Sequence, residues 1–264
     1  MPTRCSERAA RGVVIALACA LGAAGCGKSG IATQPVAPPE ELPSAWPQGS
    51  TDPLKITSEL IVSIPLQYER AAIHHGKATR ALLFGQSDRA EAQFDFFLPD
   101  FSGYTLQNYQ NDTDPNRIEV VYLHAGDPHE ADADAPGEYP PNMLKRALPD
   151  LNPDNPRQMY GLTCYQGRVL SDRLTCYGRR DEHEDILLYV KVPPFAAEDT
   201  FPVMQARYFS TRYGGVRIAW RAHINNLPHW HDIDSQIWKF IDAWKVAPAP
   251  AQPAPPAPPP APAR

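Results

Sequence analysis

Two copies of the tripeptide Thr-Cys-Tyr, at residues 163–165 and 175–177, constrain the fold of this 264-residue chain more than any other feature. Both copies lie in segments rich in strand-forming residues, with turn-forming residues between them. A hairpin folded about Leu170 places Cys164 opposite Cys176, and closing so short a loop contributes about 3 kcal/mol in the chain-entropy description. A metal site is the alternative, but two cysteines at this spacing, without a cysteine or histidine pair nearby, fit one poorly. We therefore predict a structural disulfide between Cys164 and Cys176 across an antiparallel hairpin.

The N-terminal segment predicts export and a lipid anchor. A basic start is followed by an uncharged run at residues 13–25, which is too short to cross a bilayer and is typical of a secretory signal. Small residues at the end of this run lead directly into Cys26, as in bacterial lipoprotein signals. We predict that residues 1–25 are removed and that Cys26 carries fatty acyl groups, palmitate among them. The alternative is ordinary secretory cleavage, for instance after Ala20, with Cys26 left as a free thiol.

These features indicate the bacterial periplasm, a compartment in which disulfides persist. Gly27 follows the cysteine where an aspartate would favour the inner membrane, so we expect the outer membrane. Contact with the membrane is expected through the lipid anchor only, and two or more acyl chains make such an anchor stable.

Proline divides the remainder of the chain into three parts. The excess among its 30 prolines lies towards the two ends. Residues 26–53 are predicted to form a flexible tether, residues 54–246 a single globular domain, and residues 247–264 an extended, disordered tail of alanine and proline. The formal net charge of −5 gives no electrostatic reason to expect nucleic acid as a partner.

Short apolar segments separated by turn signals predict an α+β domain with a mainly antiparallel β-sheet built of hairpins. The predicted strands are residues 60–66, 94–98, 118–123, 160–165, 174–177, 186–192, 203–210 and 216–222. A short helix is predicted at 142–148. A longer amphipathic helix is predicted at 232–244, with Asp232 as its N-cap and Asp234 complementing the helix dipole. We expect this C-terminal helix to pack on one face of the sheet.

Few residue patterns in the domain suggest catalysis. His229, His231 and Asp234 are the candidates for a metal-dependent enzyme, but their spacing does not match the familiar helical arrangement of zinc ligands, and they could equally cap a helix. Nucleophile and phosphate-loop motifs are not found in the sequence. The acidic stretches at 127–138 and 181–185 are interpreted as solvated loops, with a recognition surface for a basic partner as the alternative. We expect a non-enzymatic protein without a cofactor or metal.

The late hairpin combines arginine with aromatic residues, which is the composition of protein-binding hot spots. An amphipathic sheet with one solvent face is the alternative interpretation. The candidate partner-binding residues are Arg207, Tyr208, Arg212, Tyr213, Arg217, Trp220 and Arg221.

Three stretches resemble lipoproteins that accompany type VI secretion lipase effectors in Gram-negative bacteria. They are residues 94–104 (FDFFLPDFSGY), residues 206–210 (ARYFS) leading to 212–215 (RYGG), and residues 237–244 (IWKFIDAW). The resemblance implies a periplasmic immunity protein that binds a lipase toxin and blocks its active site. A structural or assembly lipoprotein of the envelope is the alternative function, with the proline-rich tail as a spacer.

Overall fold

The computed structural model describes residues 44–70, 91–169, 171–195 and 201–247. The predicted signal peptide, the lipidation site at Cys26, most of the tether and nearly all of the tail lie outside these residues. Within the described part of the chain, no helix combines the length and apolarity needed to cross a membrane.

An eight-stranded antiparallel sheet forms the centre of the fold, and a separate two-stranded pair lies beside it. The pair consists of β1 (Leu54–Lys55) and β2 (Ile61–Val62). The sheet contains β3 (Glu91–Phe97), β4 (Arg117–Ala125), β5 (Arg157–Met159), β6 (Leu162–Gln166), β7 (Arg173–Arg179), β8 (Asp185–Lys191), β9 (Val203–Ser210) and β10 (Val216–His223). Its spatial order is β3-β4-β10-β9-β8-β7-β6-β5, so strands β5 to β10 form a meander and the β3–β4 hairpin adds to its last strand.

The predicted hairpin of the two Thr-Cys-Tyr copies is present as β6 and β7. Cys164 lies opposite Cys176, and Thr163 opposite Tyr177, so the register is centred on residue 170 as predicted. The two cysteines are joined by a disulfide and are fully buried.

Two helices lie on opposite sides of the sheet. Helix α1 (Pro140–Ala147) belongs to the long connection between β4 and β5 and lies against β8. Helix α2 (Trp230–Trp244) covers the other side. This arrangement confirms the predicted α+β class with a C-terminal helix packed on the sheet. The side under α2 is called the core face below, and the opposite side the outer face.

The start of α2 differs from the prediction. The helix begins two residues before Asp232, and His229 is its N-cap residue. Asp232 lies in the first turn and is exposed, whereas Asp234 is fully buried. The bulky Trp230 explains the shift, because its ring packs in the core and its Nε1 donates to the backbone oxygen of Tyr160 at 2.8 Å. Tertiary packing, rather than the capping preference of aspartate, sets where the helix begins.

The core face is apolar because alternate residues of every central strand point towards α2. Ile233, Ile237 and Ile241 of the helix meet a layer of buried side chains from the sheet. That layer includes Phe94, Phe96, Ile118, Val120, Ile186, Leu188, Ala206, Ile218 and Trp220.

The folded unit begins earlier in the chain than residue 54. Trp46 is only 6% exposed, its Nε1 donates to the oxygen of Leu66 at 2.8 Å, and its ring stacks on Tyr104 at 5.3 Å between centroids. Residues 46–53, predicted to belong to the tether, therefore pack on the domain. The predicted strand at 60–66 is also shorter than expected, because the chain leaves β2 and turns at Pro65 into a 3₁₀ helix.

Candidate protein-binding face

The predicted cluster of arginine and aromatic residues in β9, β10 and their turn is divided by the pleat of the sheet. Tyr208 and Trp220 lie on the core face and have no exposed surface, so they do not line a surface that a partner could touch. Arg207, Arg217 and Arg221 lie on the outer face, because successive residues of a strand point to opposite sides.

Tyr208 and Trp220 instead form a buried polar network with α2. The Tyr208 hydroxyl donates to Oδ1 of Asp234 at 2.6 Å, and Trp220 Nε1 donates to the same oxygen at 2.9 Å. Trp238 Nε1 donates to the Tyr208 hydroxyl at 3.0 Å. Burial raises the pKa of Asp234 above its ordinary value and raises that of Tyr208 as well. These four side chains fix the helix to the sheet.

Arg180 extends this network at the end of β7. Its Nε lies 3.7 Å from Oδ2 of Asp234, which is too long for a hydrogen bond but close enough for electrostatic attraction. Its guanidinium also pairs with Glu184 and lies 4.7 Å from the centre of the Trp238 ring. The cation therefore offsets part of the cost of burying the Asp234 carboxylate.

The metal-site alternative at His229, His231 and Asp234 is not assembled. The Asp234 carboxyl points into the core network, and Nε2 of His231 contacts the backbone oxygen of Arg180 at 3.0 Å. No group of three histidine, cysteine, aspartate or glutamate side chains is placed to hold a metal ion among the residues that the structure describes.

Arg212 and Tyr213 occupy the turn between β9 and β10, away from the three outer arginines. Arg212 pairs with Asp242 of α2 at 3.2 Å and lies 4.3 Å from the centre of the Trp238 ring. The Tyr213 hydroxyl also donates to Asp242, and the Nζ of Lys245 lies 4.5 Å from the Tyr213 ring centre. The turn thus anchors one end of the sheet to the last turns of the helix.

Each of the three outer arginines is held through its Nε by a carboxylate. Arg217 Nε donates to Glu130 at 2.7 Å, Arg221 Nε donates to Glu119 at 2.7 Å, and Arg207 Nε donates to Glu138. The arginine side chains remain 26–51% exposed, whereas Glu130 and Glu138 are at most 9% exposed. The outer face therefore displays guanidinium groups above largely buried carboxylates.

Glu130 and Glu138 belong to the loop at 127–138, which the sequence suggested was solvated, whereas Glu119 lies in β4. Glu130 accepts from the backbone N–H groups of Asp127 at 3.0 Å and Glu138 at 2.7 Å. Glu138 accepts from the Tyr122 hydroxyl at 2.9 Å, and its backbone oxygen accepts from the Phe209 N–H at 2.8 Å. Burial and the Glu138 charge raise the pKa of Tyr122, which keeps its hydroxyl as a donor. This loop is bound to the outer face rather than free in solvent.

An open depression of about 510 Å³ lies between this loop, α1 and the strands of the outer face. Its lining consists of Gly137, Glu138, Met143, Arg173, Tyr189, Gln205, Arg207 and Arg217. Sequence reasoning found Arg207 and Arg217 but missed Arg173, Tyr189 and Gln205. These three residues alternate with buried residues in β7, β8 and β9, which indicates that they lie on the outer face. The alternation does not show that they lie close together until the pairing of the three strands is known.

The three stretches that carry the family resemblance meet on the core face. Phe96 packs edge-on against Phe240 at 5.4 Å between ring centroids, and Tyr208 bonds to Trp238. The residues that carry the resemblance therefore lie mainly in the core and not on the outer face.

Comparison with known proteins gave a remote structural likeness. No family model matches the chain, and no curated protein matches it. A solved structure that resembles it is that of Smlt3025, an immunity protein of the Stenotrophomonas maltophilia type IV secretion system. The two share 11% identity with a TM-score of 0.46, and the match covers 76% of this chain and 95% of that one. At that level of similarity neither the partner nor the site residues carry over from one protein to the other.

Proposed function

We propose that this protein is an envelope lipoprotein that binds another protein through its outer face and thereby neutralises a secreted toxin, a lipase effector of type VI secretion. The observation that carries the proposal is the row of outer arginines, each partly exposed and held at its Nε by a carboxylate. Arginine is among the residues that dominate the binding energy of protein interfaces.

The carboxylates make these arginines suitable for binding because they restrict the side chains before a partner arrives. Ordering a long side chain at an interface costs about 0.5–1.5 kcal/mol, and an arginine already ordered loses less on binding. Tyr122 adds an aromatic surface beside them, with its ring centre 5.8 Å from the Arg207 guanidinium. A rigid, polar and partly aromatic face of this kind favours a specific protein partner.

The location is part of the same proposal. Lipidation at Cys26 would hold the domain at the periplasmic side of the outer membrane, where an incoming toxin would meet it. The Cys164–Cys176 disulfide is consistent with a compartment outside the cytoplasm.

A kin-competition experiment tests the proposal. Cells that lack the gene are grown on a solid surface against their parent, and the surviving ratio is measured. We expect the deletion strain to be killed by the parent, to survive beside a parent without a working secretion apparatus, and to be protected by the wild-type chain. The variant with Arg207→Gln and Arg221→Gln should protect poorly, because it removes two half-exposed cations from the outer face.

The matched control carries Arg157→Gln and Lys239→Gln, which change the net charge equally but lie on the edge strand β5 and on α2. It should protect as well as the wild-type chain. Survival of the deletion strain beside its parent contradicts the neutralising function. If the protein then co-purifies with cell wall, the alternative function is favoured, namely a structural or assembly lipoprotein with the tail at residues 247–264 as its spacer.

A further inference from the structure

We propose that the depression on the outer face is a carboxylate pocket that receives an aspartate or glutamate side chain of the bound protein. This inference rests on the proposed function and specifies the chemistry of its partner. It is carried by two groups of donors that line the same space and by the charge and size of that space.

The first group consists of side chains without a polar side-chain partner among the described residues. Within the described part of the chain, the Arg173 guanidinium, the Tyr189 hydroxyl and the Gln205 amide form no hydrogen bond or ion pair with another side chain, and all three line the depression. They belong to neighbouring strands, since Tyr189 lies opposite Gln205 in the β8–β9 pair and Arg173 begins β7. Tyr189 and Gln205 are partly buried, and unpaired donors that are partly removed from water gain the most from an arriving acceptor, whereas Arg173 is exposed.

The second group consists of the terminal nitrogens of Arg207 and Arg217. Their Nε atoms are occupied by Glu138 and Glu130, which fixes the plane of each guanidinium. The terminal nitrogens then present the paired N–H geometry that binds both oxygens of a carboxylate. Arg207 and Arg217 lie on adjacent paired strands, β9 and β10.

The charge of the lining points to an anion. Three arginines and one glutamate line the depression, and that glutamate already accepts from Arg207 and Tyr122. The surrounding chain is acidic, with a formal net charge of −5, so the basic patch is local. A local patch recessed between a helix and a loop suits a single acidic side chain better than an anionic membrane, which attracts broad basic surfaces.

The size of the depression is consistent with one side chain and its water. Its volume of about 510 Å³ lies within the usual range of binding pockets. Met143 of α1 contributes the apolar wall against which the methylene groups of a glutamate could pack.

Peptide titration tests the pocket without knowledge of the partner. A fluorescein-labelled peptide of six glutamates is titrated with the purified protein at low salt, and its anisotropy is compared with that of a six-glutamine peptide. We expect saturable binding of the glutamate peptide only. Arg173→Gln should weaken it about fivefold, because one exposed charge–charge contact is lost and no described side chain pairs with the Arg173 guanidinium.

Arg157→Gln is the matched control, since it removes one exposed arginine from β5, which does not line the depression. It should leave the dissociation constant unchanged. Arg207→Gln provides a second variant, with its melting temperature measured alongside. In the wild type, the glutamate peptide should also shift the side-chain NMR signals of Arg207 and Arg217.

Two results would overturn the pocket. Equal weakening by the Arg173 and Arg157 variants would show that only net charge matters, and tighter binding to phosphatidylglycerol vesicles than to the peptide would indicate a lipid surface. If the glutamate peptide does not bind but the wild-type chain protects cells in the competition experiment, the pocket alone is rejected. If the glutamate peptide binds as expected but the deletion strain survives beside its parent, the neutralising function alone is rejected.

Discussion

At the scale of single residues, two tyrosines in neighbouring strands illustrate how the environment of a hydroxyl decides its role. Tyr208 on the core face donates to Asp234 and accepts from Trp238. Tyr189 on the outer face is half-buried, and burial raises its pKa too, but it lines the depression and its hydroxyl has no side-chain partner among the described residues. The first hydroxyl therefore stabilises the fold, whereas the second is available to a ligand.

Replacing Tyr208 with phenylalanine should lower the free energy of unfolding by about 1–3 kcal/mol, the usual cost of leaving a buried polar group with fewer partners. The loss has a specific cause, since Asp234 Oδ1 would keep only the Trp220 donor and Trp238 Nε1 would lose its acceptor. Urea unfolding followed by tryptophan fluorescence measures it.

Tyr189→Phe is the control, because it removes the same atom from the other face of the sheet. It should leave stability nearly unchanged and weaken only the binding of the glutamate peptide. Equal destabilisation by both variants would show that the buried network is not what distinguishes the two positions.

At the scale of elements, the sequence predicts where the strands lie in the chain better than it predicts which strands pair and which face of each is covered. The β9 prediction matches the structure at both ends, and the disulfide hairpin has the predicted register. Both depend on local signals, namely alternation, turn residues and repeated cysteines. Besides β3, strand β4 pairs with β10, which begins about ninety residues later in the chain, and no local signal specifies that pairing.

The same difference between local and tertiary signals explains which residues of the candidate site the sequence predicts correctly. Arginine and aromatic residues were recognisable in β9 and β10, but which of them face outward follows from the side that α2 covers. The combination of arginine with aromatic residues predicts Tyr208 and Trp220 on a binding surface, whereas both side chains are fully buried in the core. The roles of Glu130 and Glu138 arise from tertiary contacts with Arg217 and Arg207, so an acidic loop was interpreted as solvated.

The disulfide between β6 and β7 gives a prediction for an element. Reduction should lower the melting temperature, because the unfolded chain regains the freedom that a short closed loop had removed, worth about 3 kcal/mol. Differential scanning calorimetry with and without reductant measures the shift.

The variant with Cys164→Ser and Cys176→Ser supplies the control. It should melt below the oxidised wild type and show no further response to reductant. An unchanged melting temperature on reduction of the wild type would contradict a stabilising role for the bridge.

At the scale of the whole molecule, the proposed lipid anchor determines where the outer face is presented. Cys26→Ser should release the protein from the membrane fraction into the soluble periplasm, since acyl chains are the expected source of membrane affinity. Fractionation followed by immunoblotting measures the change. Cys19→Ser, within the predicted signal, should leave the distribution unaltered, and persistence of the Cys26 variant in the membrane fraction would argue against lipidation.

The strand order has a further consequence for how the chain acquires its structure. Among the strands of the eight-stranded sheet, β3 and β4 are synthesised first, yet their neighbour β10 follows about ninety residues later, and such distant pairing slows folding. Each strand from β5 to β9 pairs with the next strand in the chain. These strands can therefore assemble before β10 pairs with β4. A chain that ends before Val216 would leave β4 with an unpaired, aggregation-prone edge and would lack α2, so proteases and chaperones would encounter incomplete copies as open sheets.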